Sequence, residues 1–282
     1  MSTTKMYVIN TLSNMHVGSG EVNYGVIDNL IQRDPVTNLP GINSSGIKGG
    51  IREFFTNKNL IEDVFGSDPK DDSNLTKPGK ARFFEANILS IPVRSDKVPY
   101  MMSTSVEVIK ELVYKLNLFN CENKDSIVQK LSDLLNNPNI KSLFETEKKK
   151  AIVFDQNLSD TCVEELDIKA EYKNITLDTV LEKLFGKNLV VLSHAAFRTI
   201  CDDNHLPVMA RNNLNDGVSS NLWYEQILPR YTRLYFMLMD GGINTQYAEG
   251  FYKSLSGDTF QLGANASIGY GFCKFTELST LK

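Results

Sequence analysis

The sequence predicts an α/β sandwich, and three observations predict it. Short apolar runs suited to strands alternate with stretches whose apolar residues recur at helical spacing. The chain has 282 residues, long enough for a full elaborated core. No internal repeat of 20–50 residues appears, which sets solenoids and propellers aside.

Each element follows in order. "KMYVINTL" (5–12) reads as a core strand, and "NSSGIKGGIREFFTN" as a helix opened by Ser or Asn caps. In that helix Ile47, Ile51, Phe54 and Phe55 form the apolar stripe. A polar loop (66–80) leads to the strand "ARFFEANILSIPVR". Two helical stripes come next: Val106, Ile109, Leu112, Val113 and Leu116, then Ile127, Val128, Leu131, Leu134 and Leu135. The charged, turn-rich stretch 136–175 reads as inserted material, before a short helix near 177–185 and the strand "NLVVL". Two extended arms around Asn-Asn, Asn-Asp and Gly217 predict a protruding hairpin over about 205–223. "RLYFMLM" is a core strand and 244–255 a helix. "FQLGANASIGYGFCKF" is a glycine-rich turn entering the last strand. The expected organisation is one domain over 1–282, with an insertion at about 96–187.

Composition narrows the function classes. Four scattered Cys without a C-x-x-C pair, and only three His, argue against structural zinc and a disulfide framework, and for a reducing cytoplasm. No run approaches the ~18 apolar residues of a membrane span, and the N-terminal stretch reads as a strand rather than a signal segment. The net charge of −4 argues against a free-standing nucleic-acid binder. Acidic residues gather in 62–72 and 155–171, however, which leaves room for a local basic groove.

"GINSSGIKGG" (41–50) carries the most chemistry. Gly41 and Gly46 have the spacing of a phosphate-binding P-loop, but Ile47 precedes Lys48 and Gly49 replaces the metal-binding hydroxyl. A nucleotide-dependent enzyme therefore lacks its lysine–hydroxyl pair. What remains is Ser44, Ser45 and Gly46 at a helix N-terminus, with Lys48 and Arg52 on one face. This is either a seat for a polymer phosphate or a capped amphipathic helix with a solvated cationic face.

The connection 15–42 is too long for a plain loop. Gly18 and Gly20 make a flexible turn beside His16, and Asp28 lies among Val26, Ile27 and Leu30. Such an Asp caps a turn, forms a local ion pair, or has a task. Gly263, Gly269 and Gly271 form either a second close-approach turn or a plain tight one. Trp223 is a candidate anchor at the hairpin base, with Glu225 either structural or facing the groove of Asp28.

In combination these stretches are more specific. "HVGSG…GVIDNLIQRDPVTNLPGINSSGIKGGIREFF" resembles the N-terminal signature of the RAMP superfamily of CRISPR effector proteins. "IQRD", "FFEANILSIPVRS", "NLWYEQILP" and "FQLGANASIGYGF" are similar, in this order, to backbone subunits of type III-B (Cmr) complexes. The equivalent type III-A (Csm) subunits share the first and last motifs. Asn43 and Asn265 stand where other residues are more usual in the family.

The resemblance implies a modified ferredoxin-like (RRM-type) palm with helical insertions and a thumb hairpin. It implies copies stacked head to tail along a guide crRNA, other Cmr subunits as partners, and cleavage of complementary target RNA at regular intervals. Gly18, Gly20, Arg33, Ser44, Ser45, Lys48, Arg52, Arg211, Gly263, Gly269 and Gly271 would contact RNA. Asp28 falls on the family's catalytic aspartate. It would hold a divalent ion (Mg²⁺ or Mn²⁺) or assist deprotonation, with His16 and Glu225 as helpers. The alternative is a purely structural backbone subunit.

Overall fold

A computed structural model describes residues 3–20, 25–67, 77–144, 146, 148–216 and 218–281. Along the chain run β1 (Thr4–Thr11), β2 (Gly41–Ile42), α1 (Ser44–Phe54), α2 (Lys58–Phe65), β3 (Ala81–Phe83), β4 (Ala86–Val93) and β5 (Met101–Ser105). Then follow α3 (Val106–Leu118), α4 (Asp125–Asn136), α5 (Pro138–Phe144), β6 (Ala151–Val153), β7 (Glu171–Tyr172), α6 (Thr179–Phe185), β8 (Leu189–Leu192) and α7 (His194–Ile200). The last third holds β9 (Val208–Asn215), β10 (Val218–Gln226), β11 (Arg233–Asp240), α8 (Thr245–Gly257), β12 (Thr259–Gln261) and β13 (Phe272–Glu277).

Among the described residues, eleven strands share one mixed sheet whose path runs β12-β13-β1-β11-β4-β5-β8-β6-β7. β2 is added on β4 and β3 on β11. β1 is central because every second side chain meets a core: Tyr7 and Ile9 on one face, Met6 and Val8 on the other. Helices α1, α2, α7 and α8 close the first face. Helices α3, α4, α5 and α6 close the second. The result is a mixed α/β fold of sheet and covering helices, in line with the fold class the periodicity predicts.

Two local differences from the sequence reading have physical causes. The stretch 81–93 is two strands rather than one, since its register against β11 slips by a residue between Phe83 and Asn87. The segment 96–187 contributes β5, β6 and β7 to the main sheet, and Leu181, Phe185 and Ile152 join Met6, Val8 and Tyr235 in one core. Part of the polar loop 66–80 and the N-terminal residues 1–2 lie outside the described residues, as does Gly217 at the hairpin turn.

The predicted hairpin is β9–β10, a separate two-stranded sheet paired from Val208↔Gln226 to Asn215↔Val218. Most of its described side chains are exposed, and only its base, Glu225 and Gln226, is buried. Among the described residues no helix is long and apolar enough to cross a membrane.

Candidate nucleic-acid interface

The stretch 41–50 forms no phosphate-wrapping loop. Gly41 and Ile42 are strand residues paired with Asn87 and Ala86, and the helix begins after Asn43. No acidic residue stands in the first turn of α1, and Asn43 makes no side-chain cap. Ser44 and Ser45 are exposed beside the open backbone donors. Lys48 is half-buried and forms no ion pair among the described residues. Arg52 reaches the Gly66 carbonyl (3.4 Å).

Gln32, which sequence reasoning did not single out, fixes the entry to this helix. Its Oε1 accepts from the Asn43 N–H (2.8 Å), and its Nε2 donates to the Gly18 carbonyl (3.1 Å). The arm 15–20 therefore lies against the start of α1, with Gly18 bridged to Ile31. Gly20 is exposed with φ +78°, which suits glycine.

The glycine-rich turn docks on the same arm. The Ala264 N–H donates to the His16 carbonyl (2.8 Å), and the Gly271 N–H to the Asn14 carbonyl (2.8 Å). A Cβ on Gly263 would stand 2.4 Å from the His16 oxygen, and one on Gly271 would stand 2.0 Å from the Leu262 oxygen. Both have positive φ, so only glycine fits. Between them Ala266–Ile268 makes an exposed 3₁₀ turn closed by Gly269. Phe54 of α1 packs on Phe260 at the turn's entry (4.6 Å between centroids), holding helix start and turn in one block.

The thumb foot brings the titratable candidates together. Asp28 and Asn29 both donate their N–H to the Tyr224 carbonyl (3.1 Å each), and the Tyr224 N–H donates to Asp28 Oδ2 (2.8 Å). This short ladder, with Asn29 bridged to Glu225, fixes the Asp28 carboxylate on the free edge of β10. The residue is exposed, and among the described residues Oδ1 has no hydrogen-bond partner. Its place among Val26, Ile27 and Leu30 is thus an exposed edge rather than an apolar pocket.

Glu225 is different. It is 6 % exposed, and its carboxylate accepts from Trp223 Nε1 (2.8 Å), Asn265 Nδ2 (2.8 Å) and Arg211 Nη1 (3.3 Å). Arg211 lies over the Trp223 ring, its guanidinium carbon 5.7 Å from the centroid. Both residues belong to the joint between thumb and glycine-rich turn, which corrects the expectation of Glu225 as a groove-facing helper. His16 is also buried, with Nδ1 2.7 Å from the Gln226 carbonyl. That carbonyl can only accept, so Nδ1 carries the proton and Nε2 is left facing Gly18. Gln226 is fully buried and ties three segments, through Ile31, Asp203 and His16.

Arg33 lies outside this constellation. Four of its five N–H donors go to Asp203 and to the Asn38 and Cys201 carbonyls, so it braces the foot of the hairpin instead of offering a face to phosphate. Asn14, Gln32 and Gln226 were missed because a lone amide carries no spacing signal. Their partners are up to 216 residues away.

No three His, Cys, Asp or Glu gather as a metal site among the described residues. Asp28 offers one open carboxylate oxygen. A hard divalent cation held there would find one protein ligand among the described residues.

Comparison with known proteins then supplies a context. The sequence profile described as "RAMP superfamily" matches residues 8–274. The curated protein "CRISPR system Cmr endoribonuclease Cmr4" of Pyrococcus furiosus is 26% identical, over 96% of this chain and 95% of its own length. A chain of the cryo-EM structure of type III-B Cmr-β in its apo state superposes with a TM-score of 0.80 at 20% identity, covering 99% of both chains. The crystal structure of oligomeric Cmr4 from Pyrococcus furiosus gives 0.65 at 21% identity, covering 98% of both.

Proposed function

This chain belongs to the RAMP superfamily, and from that premise we propose that it is a backbone subunit of a type III-B CRISPR effector complex. In this reading it binds guide crRNA, stacks on copies of itself and on other Cmr subunits, and cleaves complementary target RNA. The curated relative's name, an endoribonuclease of the Cmr system, supports the reading. One geometric observation carries the catalytic part: an exposed carboxylate, Asp28, held by main-chain bonds at the foot of a protruding hairpin.

The mechanism follows from what these residues can do. The cationic helix start and the glycine-rich turn seat one strand by its phosphates. The thumb, rich in Asn, Ser and apolar side chains, enters between bases and splays one out. That rotation brings a ribose 2′-oxygen in line with the adjacent phosphorus, and alignment supplies most of the rate. The 2′-oxygen attacks the phosphorus, its proton passes to Asp28 Oδ1, the P–O5′ bond breaks, and the leaving O5′ takes a proton from water. The products are a 2′,3′-cyclic phosphate and a 5′-hydroxyl. Where Asp28 instead holds Mg²⁺ or Mn²⁺ through that oxygen, the ion would supply neutralisation of the charge growing on the phosphate. Glu225, Arg211 and His16 position the thumb and the turn.

The test compares wild type and Asp28→Asn in the complex assembled with guide and labelled target. The amide still accepts from the Tyr224 N–H, so assembly is preserved. Regularly spaced cuts ending in cyclic phosphate, absent from the variant and abolished by EDTA in wild type, are expected. Cuts that persist in the variant would make this chain the structural backbone alone.

A further inference from the structure

A cavity of about 720 Å³ lies at the foot of the thumb, lined by segments that flank both of its strands, among them His205, Pro207 and Pro229. Its volume is that of a small-ligand site. On one wall Tyr100 and Tyr231 stack with centroids 5.2 Å apart and planes 14° apart, each more than a third exposed. The Arg230 guanidinium carbon lies 5.2 Å from the Tyr231 centroid, and no carboxylate pairs with it among the described residues. Arg94, also on the wall, is already held by Glu164 and Glu165. Asn204 and His205 also line the cavity, and His205 Nδ1 is 2.9 Å from Asp202 Oδ1. The carboxylate oxygen accepts from Nδ1, which orients the ring.

Tyr231 is held in an unusual way. Its φ is +74°, a conformation that a bulky side chain adopts only when its surroundings impose it. Its N–H donates to the Thr11 carbonyl (2.9 Å), and the Arg230 N–H to Asn14 Oδ1 (3.0 Å). The carbonyl of the same Asn14 accepts from Gly271, so the wall is one residue removed from the glycine-rich turn. Leu12 and Phe272, joined by the Leu12 N–H to Phe272 carbonyl bond (2.8 Å) and both exposed, fill the interval with apolar surface.

Resting on the reading that this protein binds RNA, we propose that the cavity receives one unpaired base of a strand whose phosphates lie on the glycine-rich turn. The base stacks on the tyrosine pair, Arg230 covers its face or its phosphate, and Asn204 and His205 read its edge. Planar stacking beside a phosphate seat is how single-stranded nucleic acid is held without base pairing. A peptide would use the apolar walls but would leave unexplained their continuity with the turn.

The test uses single-stranded RNA of about ten nucleotides, with one 2-aminopurine moved along the strand. Affinity, fluorescence and particle size are followed for wild type, Tyr100→Phe and Tyr100→Leu. At one position the probe should be quenched by wild type and by Tyr100→Phe. Tyr100→Leu should lose the quenching and about tenfold in affinity. RNA bound with no Tyr100-dependent position overturns this inference and leaves the RNA-binding reading intact, whereas no RNA binding at all overturns both. Free 2-aminopurine ribonucleotide quenched as strongly as the strand would make the cavity a mononucleotide site. A change in particle size with RNA binding unaltered would make it a contact between copies. Either result overturns the strand-borne base.

Discussion

The start of α1 and the thumb are built on opposite principles. The helix start carries open backbone donors, two hydroxyls and Lys48, with no acid in its first turn. The thumb, residues 208–226, has three charged side chains, and two of them, Arg211 and Glu225, neutralise each other at its base. The first presents donors and a cation, the chemistry that holds phosphate. The second exposes Val218, Leu222 and Tyr224, which suit bases. Under the proposed function, the difference teaches that position along a strand and access to a chosen nucleotide are assigned to separate regions. Phosphate contacts fix register, and uncharged contacts act on the bases.

The largest expected effect comes from severing the joint between the two. Glu225→Ala leaves the Arg211, Trp223 and Asn265 donors without an acceptor. Loss of a buried, multiply bonded carboxylate should cost about 3 kcal/mol or more in stability, measured by urea denaturation. A fall below about 1 kcal/mol would show that the thumb is not anchored there. Gly271→Ala comes next, since its Cβ would fall on the Leu262 oxygen at positive φ. About 2 kcal/mol of destabilisation is expected, with weaker RNA binding, read by thermal melting and by titration with RNA.

Smaller effects sharpen the contrast itself. Lys48→Ala should lower the slope of log affinity against log salt by about 0.7 for single-stranded RNA, the signature of one phosphate contact. Leu222→Ser on the thumb should leave that slope unchanged while reducing cleavage. Equal slopes in the two variants would erase the distinction.

The smallest effect is on acid stability, and it touches both regions. Partial burial pushes the Asp34 carboxyl up, but the Thr37 N–H and hydroxyl and the Val36 N–H outweigh it, and its pKa ends below the ordinary value. Asp202, under the thumb, is lowered in the same way, burial being outweighed by bonds from His205 and Asn204. Carboxyls depressed in the folded state stabilise it above their ordinary pKa of about 4, and that contribution is lost as pH falls further. Melting temperature should therefore drop below about pH 4, less so in Asp34→Asn than in wild type.

Much of the fold was legible because it is written locally. The stripe of Ile47 and Ile51, the alternation along β1 and the paired arms around 216 each answer to a period within a dozen residues. Asp28, His16 and the glycine-rich turn were singled out through motifs whose order along the chain is specific. Their assignments to jobs were not legible. Arg33 reads as a cation for phosphate, yet Asp203, 170 residues on, takes its guanidinium. Glu225 reads as a groove carboxylate, yet Asn265 and Arg211 bury it.

By itself, then, the sequence determined the alternation of strands and helices, the hairpin, the cationic helix start and the family resemblance. Only the tertiary structure decided the order of the strands and which polar side chains were consumed as ties. It also decided that Asp28 kept an open oxygen at the thumb's foot and that Tyr231 was turned outward beside Tyr100. The physical reason is that periodicity reports which face of an element is buried. The partner of a charge or an amide is chosen by whichever distant segment the folded sheet brings within hydrogen-bonding reach.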